Sequence, residues 1–396
     1  MSSGYAKRDV YLLALCQALL ATGNAVVITT SALVGQTLAP DGLATLPLFL
    51  QFLAIMATAL PASYLMRQIG RRAGFAVGAA FAVSAGLLGC GAILVGSFPL
   101  FCIASIGYGV FMGFGMYYRF AAADVASPEF RPRAISYVLA GGVVAAITGP
   151  ELAKATDDIF GPALFAGCFA AIAALGLLTL LTLALLRIPP PAEEERSGVE
   201  RPLARIMRQP AFVVALGSAA IAQGAMVLVM TATPLAMAFC GHGFNQTAFV
   251  IQWHVLGMFA PSFVTGHLIS RFGVLNVMAT GAGLILACLA VALSGIEIAQ
   301  FWTALFLLGV GWNFMFVGGT SLLTSTYKPA EKAKVQAVND LIIFATAAFA
   351  SLSSGILHHL IGWQAVNLSM IAPVLITLGM ILWLRHRRAH VGLTEA

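Results

Sequence analysis

The residues of this chain best suited to hold a soft metal ion lie within 223–261, which read QGAMVLVMTATPLAMAFCGHGFNQTAFVIQWHVLGMFAP. Met226 and Met230 stand four residues apart, as do His254 and Met258. On a helix that spacing puts both members of a pair on one face, about 6 Å apart along the axis. Thioether sulfur and imidazole nitrogen are uncharged donors that suit Cu(I). In an apolar setting they also avoid a buried carboxylate, which within a membrane costs at least ~2.5–3.5 kcal/mol. Met237 continues the first stripe, and Cys240 and His242 follow it.

Ordinary packing accounts for some of these residues equally well. Methionine fills irregular gaps between apolar helices. With 14 Met in 396 residues, chance alone places about 0.5 Met-x-x-x-Met pairs. Met112 and Met116 form a second such pair, so the spacing is not unique. A His-x-x-x-Met pair is expected about 0.25 times, and a histidine inside an apolar span by default marks a functional position. From the residues alone, a ligand set and core packing both stand.

The elements that carry these residues follow from composition. The chain is 60% hydrophobic and 9% charged, with mean hydropathy +0.93. Its apolar runs are each about 20 residues, the length that crosses a bilayer as a helix. Twelve are expected, at 10–33, 43–66, 73–95, 98–120, 134–154, 161–186, 211–237, 246–269, 275–295, 299–323, 336–357 and 364–385. The polar lead MSSGYAKRDV has no small-residue cleavage pattern, so the first span is expected to be retained. With the N-terminus in the cytoplasm, 20 of the 21 Lys and Arg residues fall on the cytoplasmic side and only Lys154 falls outside. The expectation is an all-α polytopic membrane protein with both termini cytoplasmic.

The net charge of +6 therefore reports topology and lipid contact, with no nucleic-acid partner implied. Six cysteines without Cys-x-x-Cys spacing exclude a disulfide framework and a zinc site. No Walker loop is present, so neither direct ATP coupling nor an enzyme is expected. The connection RIPPPAEEERSGVERPLARIMRQP reads as a solvated linker. It divides the chain into a six-helix bundle at 1–186, a linker at 187–210, a second bundle at 211–385 and a cytoplasmic tail at 386–396.

The halves echo one another, SYLMRQIGRR after the second span matching GHLISRFG after the eighth. On these motifs the chain resembles the major facilitator superfamily, whose G-x-L-a-D-r-x-G-r-r motif sits at both places. Gly70, Arg71 and Arg72 keep it in the first copy, and Gly266, Leu268, Arg271 and Gly273 in the second. Arg67 and Ser270 stand at the acidic position, which puts the charge relay usually assigned to that residue in question. The resemblance implies two pseudo-symmetric six-helix bundles rocking around a central site. Superposing Gly70 on Gly273 sets His254 against Gln51, Met258 against Ile55, Met226 against Gly23 and Met230 against Val27. Only the second half carries the Met and His set, an asymmetry that points to a substrate.

The two pairs on the seventh and eighth spans resemble the CcoA family of facilitator-type copper importers. That resemblance implies import of copper, as Cu(I), across the bacterial cytoplasmic membrane for assembly of cbb3-type cytochrome c oxidase. Copper is then the transported substrate, with no bound organic cofactor and with a cytoplasmic copper acceptor or chaperone as partner. The implied ligands are Met226, Met230, His254 and Met258, and Cys240 matches a membrane cysteine on which the family relies. Cys16, Cys90, Cys102, Cys168 and Cys288 are as well explained by packing. Met237 with Cys240 would form an accessory station. His242 would capture the ion at the outer mouth or be a solvated loop residue.

Gln17, Asn24 and Gln51 are candidate cavity residues, and Asp340 is expected to pair with a loop lysine. His386 and His390 are expected to be solvated. Two other functions fit parts of the sequence. ITGPELAK resembles the Gly-Pro motif of facilitator antiporters, with Ala153 and Lys154 in place of its trailing glycines, and suggests a proton-coupled exporter of drugs or small organic molecules. A sensor or assembly partner that binds copper without moving it is the other.

Overall fold

A bilayer leaves backbone groups no water to bond, so apolar runs of this length close their hydrogen bonds within themselves as helices. The computed structural model describes residues 3–127, 130–188, 201–328 and 331–394, and among these the regular structure is helical. Among the described residues ten helices are long and apolar enough to cross a membrane. An eleventh span is a pair of helices bent by 42° at a short break. The twelfth, Arg131–Thr156, has 26 residues, or about 39 Å, and carries Glu151 and Lys154, paired at 2.5 Å. The chain is a multi-pass membrane protein.

Two compact units divide it. The first holds Met1–Glu193 and Gly241–Gln252, the second Glu194–Cys240 and Trp253–Ala396. Gly241–Gln252 group with the first unit, where Phe244 meets the Phe165 ring at 5.0 Å. The proline and glutamate run of the linker at 189–200 and the His390 side chain lie outside the described residues.

In the first unit α1 (Ser3–Leu38) packs on α6 (Arg131–Thr156). Likewise α2 (Leu46–Ile69) packs on α4 (Phe98–Gly115), and α3 (Arg71–Leu94) on α4 and α7 (Ala166–Ala184). A short α5 (Tyr118–Val125) continues the fourth span. The second unit opens with α8 (Leu203–Met207), followed by α9 (Pro210–Phe239) and, from Trp253 on, the broken pair α10 (Phe244–Phe259) and α11 (Ser262–Phe272). Then come α12 (Val274–Ser294), α13 (Ile298–Thr324), α14 (Lys332–Leu360) and α15 (Trp363–Thr394). There α13 packs on α9 and α12, and α14 on α9.

The repeated motif is visible in the backbone. Gly70 (φ 85°, ψ 155°) links α2 to α3 and Gly273 (φ 84°, ψ 146°) links α11 to α12, the same positive-φ turn twice. A side chain would strain either position. The absent motif aspartate is replaced from elsewhere: Arg71 at the start of α3 pairs with Asp124 at the end of α5. Arg72 donates to the Ala184 carbonyl at 2.8 Å and Arg8 to the Leu185 carbonyl at 3.2 Å, capping the end of α7 with positive charge. Arg8, Arg71 and Arg72 are thus helix caps and ion-pair partners.

The second unit has a counterpart that the sequence did not announce. Arg201, at the end of the linker, bonds both carboxylate oxygens of the fully buried Glu331, at 2.8 and 2.7 Å. Its guanidinium also reaches the Thr326 carbonyl, and Lys334 returns a bond to the Arg201 carbonyl at 2.6 Å. The Arg201 guanidinium holds the Glu331 carboxyl far below the ordinary carboxylate range. Asp340, expected to pair with a loop lysine, accepts from Asn339 at 3.1 Å.

Candidate functional site

All four residues of the two pairs are buried, but burial means different things on the two helices. On α9 every residue from Ala222 to Met237 is buried, so Met226 and Met230 share their burial with Ala, Val, Leu and Thr neighbours. Pro234 lacks the N–H that would bond the Met230 carbonyl, a local weakening of the helix.

His254 on α10 is more specific. It is fully buried, and its Nδ1 lies 2.7 Å from the Leu305 carbonyl on α13. A carbonyl only accepts, so Nδ1 carries the proton and the neutral ring keeps its lone pair on Nε2. That nitrogen is buried with no hydrogen-bond partner. The close approach of α10 to α13 rests on Gly309, where a Cβ would fall 2.4 Å from the His254 carbonyl oxygen. Glycine is required there by contact, not by φ.

One turn beyond, Met258 lies at the end of α10, where the span breaks before Pro261. Proline supplies no N–H, and carbonyls near the break lose their helical donors. Asn313 on α13 replaces one of them. Its Nδ2 donates to the Met258 carbonyl at 2.7 Å and to the Ser262 hydroxyl at 2.6 Å, and its Oδ1 accepts from Thr265 at 2.7 Å. One side chain therefore ties both sides of the break to α13. The eighth span, expected as one helix over 246–269, is two helices with a polar staple.

The residue before the staple faces another way. Trp312 Nε1 donates to Gln223 Oε1 on α9 at 2.9 Å. Its ring stacks on Phe316 at 4.7 Å and meets Phe259 edge-on at 6.5 Å. Gln223, Trp312 and Asn313 were not among the sequence candidates, although polar residues inside the apolar runs IAQGAM and VGWNFM are the signal that marks them.

The accessory residues are scattered. Met237 is fully buried on α9, while Cys240 caps its end and is half-buried. Burial and the nearby Glu297 carboxylate raise the Cys240 thiol, so it is protonated near neutral pH and a poorer metal donor than a thiolate. His242 lies in the turn that follows, half-buried. Among the described residues no three His, Cys, Asp or Glu side chains cluster as a metal site. In the first unit Gln51 Nε2 donates to Asn24 Oδ1 at 3.1 Å, so these two cavity candidates bond one another.

Comparison with known proteins places this geometry in a family. RfnT of Brucella anthropi, a riboflavin transporter, is 42% identical over 365 residues, covering 91% of this chain and 92% of that one. The MFS-type transporter YdeG of Bacillus subtilis is 30% identical over 403 residues, covering 96% and 93%. Among solved structures, the D-xylose–proton symporter superposes with a TM-score of 0.74 at 16% identity, covering 94% and 96% of the two chains. An inward-facing, occupied bacterial homologue of the human lysosomal transporter Spinster gives 0.73 at 16% identity, covering 97% of each. The sequence model of the Major Facilitator Superfamily matches residues 13–250 and 219–395, and this chain, a secondary membrane transporter, belongs to that superfamily.

Proposed function

We propose that this chain carries riboflavin, or another flavin with the same ring system, across a bacterial cytoplasmic membrane. The observation that carries the proposal is the 42% identity to RfnT across nine-tenths of both chains. The chemistry of the second unit supports it. No Asp, Glu, Lys or Arg lies on α9, α10, α12 or α13. Their buried polar groups are the amides of Gln223 and Asn313, hydroxyls and the His254 imidazole, beside the Trp312 ring. Such a lining suits an uncharged, planar solute that hydrogen-bonds at its edges.

The test is growth of a riboflavin-auxotrophic bacterium at limiting riboflavin, with uptake of labelled riboflavin measured alongside. Expression of the chain should restore both. Uptake no higher than with empty vector, with the protein present in the membrane, rejects the proposal.

Import of Cu(I) through Met226, Met230, His254 and Met258 is a second reading. Its support is the buried His254 Nε2, which keeps a lone pair and no partner. A cytoplasmic copper acceptor would be its partner. Labelled copper uptake that falls in His254→Ala and Met258→Ala, while riboflavin uptake is kept, favours this reading. Equal copper entry with and without the protein removes it.

A further inference from the structure

We infer that the flavin ring is held in the second unit by the amide of Gln223 and the aromatic group of Trp312, Phe316 and Phe259, with Trp312 orienting the amide. The inference rests on the riboflavin reading and assigns residues to it. Indole nitrogen only donates, so the atom of Gln223 that faces Trp312 is its oxygen. The two N–H groups of Gln223 must then point away from Trp312. They have no acceptor among the described residues, although Gln223 is only 8% exposed. That nitrogen is absent from the sealed, unpaired atoms among which His254 Nε2 stands, so it keeps some accessible surface. A buried amide with two unused donors and accessible surface is built to meet an acceptor.

Helix winding shows where this surface lies. Along α13, Gly319 touches α9 at the Ala215 carbonyl, while Gly309 and Asn313 touch α10. At about 100° per residue, Trp312 and Phe316 fall between these two contact directions. They are turned away from the arc of Thr303, Leu307 and Phe314. The rings thus point into the wedge between α9 and the broken span. Trp312 is 9% exposed, and Phe259 and Phe316 are half-buried. A fused heteroaromatic ring with carbonyl oxygens along one edge matches the wedge: the rings stack, and the carbonyls accept from Gln223.

The experiment uses the full chain in lipid nanodiscs with riboflavin as probe, read by quenching of flavin fluorescence. Trp312→Phe keeps a ring but frees the Gln223 amide, and Gln223→Met removes the donors at similar volume. Each should weaken binding about three- to tenfold. The double variant should be little worse than either single one, because Trp312 acts partly through Gln223. Lumichrome, which has the ring without the sugar-alcohol chain, should compete, and ribitol should not.

A purely structural role predicts lower thermal stability with unchanged affinity of the folded protein. Affinities within twofold of wild type in both variants therefore overturn the assignment, as does competition by ribitol without lumichrome. If the wild-type chain binds no riboflavin, the substrate reading fails first and the assignment falls with it.

Discussion

The two halves solve one packing problem in two ways, and the difference shows where the second half became specialised. The third helix of the first half, α3, has 24 residues and its counterpart α12 has 21. Equivalent residues therefore lie 203 apart on the second spans and 200 apart on the fourth. With that shift Gly109 aligns with Gly309. A Cβ on Gly109 would sit 2.4 Å from the Gln51 carbonyl oxygen, and one on Gly309 would sit 2.4 Å from the His254 carbonyl oxygen. One turn on, Gly113 lies flush against Thr58 and the Ile55 carbonyl of the continuous α2, while Asn313 bonds the Met258 carbonyl of the broken span. A glycine suffices where the partner helix stays continuous, as α2 does despite Pro61. An asparagine is needed where a break exposes backbone groups inside an apolar medium.

The strongest way to break this comparison is to exchange the two solutions. Asn313→Leu leaves the Met258 carbonyl and the Ser262 hydroxyl without their donor, at about 1–3 kcal/mol for each buried group left unpaired. Gly113→Asn brings a side chain against Thr58 of a helix that stays unbroken, where it has no gap to fill. Both should lower the unfolding temperature in detergent, Asn313→Leu more, and Asn313→Leu should also abolish transport. Unchanged melting of Asn313→Leu would mean that the staple carries no stability.

The glycines come next. Gly109→Ala and Gly309→Ala each push a methyl against a backbone oxygen, which cannot turn aside as a side chain can. Overpacking of this kind costs about 1–3 kcal/mol. The halves are equivalent here, so the two losses in melting temperature should be similar. A loss confined to one half would show that the shared packing is only apparent.

How much of this was legible depends on how local each signal is. Span number was legible, because apolar run length is read along the chain. The paired glycines at 70 and 273 were legible for the same reason. The acid that serves Arg71 was not, since Arg67 occupies the motif position and Asp124 comes from another helix. Pro261 was a visible warning of the broken span, but nothing in the sequence says that Asn313 would repair it. The Met pairs show the opposite limit: α9 is buried on all sides, so neither spacing nor burial separates ligand from filler. Gln223 and Trp312 became candidates only once their mutual orientation was known.

The cytoplasmic ion pairs sharpen the comparison at intermediate size. In the first half Asp124 is 44% exposed, and in the second Glu331 is fully buried. Asp124→Asn should therefore change stability by about 0–1 kcal/mol, as exposed pairs do. Glu331→Gln should do more, because Arg201, Lys328 and Arg201's own amide lose their shared acceptor charge. The folded state depresses the Glu331 carboxyl from its ordinary value of 4.5, so its contribution is complete above that pH and fades as pH falls below it. Melting curves should give a constant gap between wild type and Glu331→Gln from pH 8 to about pH 5, closing at lower pH. A gap that opens as pH falls would contradict the pairing.

The smallest effect expected is at the residues that first suggested a metal. Superposing Gly70 on Gly273 sets Gly23 and Val27 against Met226 and Met230, and on that superposition a purely packing role asks only for apolar volume at the second pair. Met226→Leu and Met230→Leu keep that volume, and such swaps usually cost less than about 1.5 kcal/mol. If α9 uses these residues as filler, riboflavin uptake and melting temperature in both variants should stay close to wild type. A tenfold loss of transport with normal membrane levels and melting would mean that the sulfur atoms act on the substrate. The asymmetry between the halves would then be a property of the seventh span as well as of the staple and the aromatic wedge.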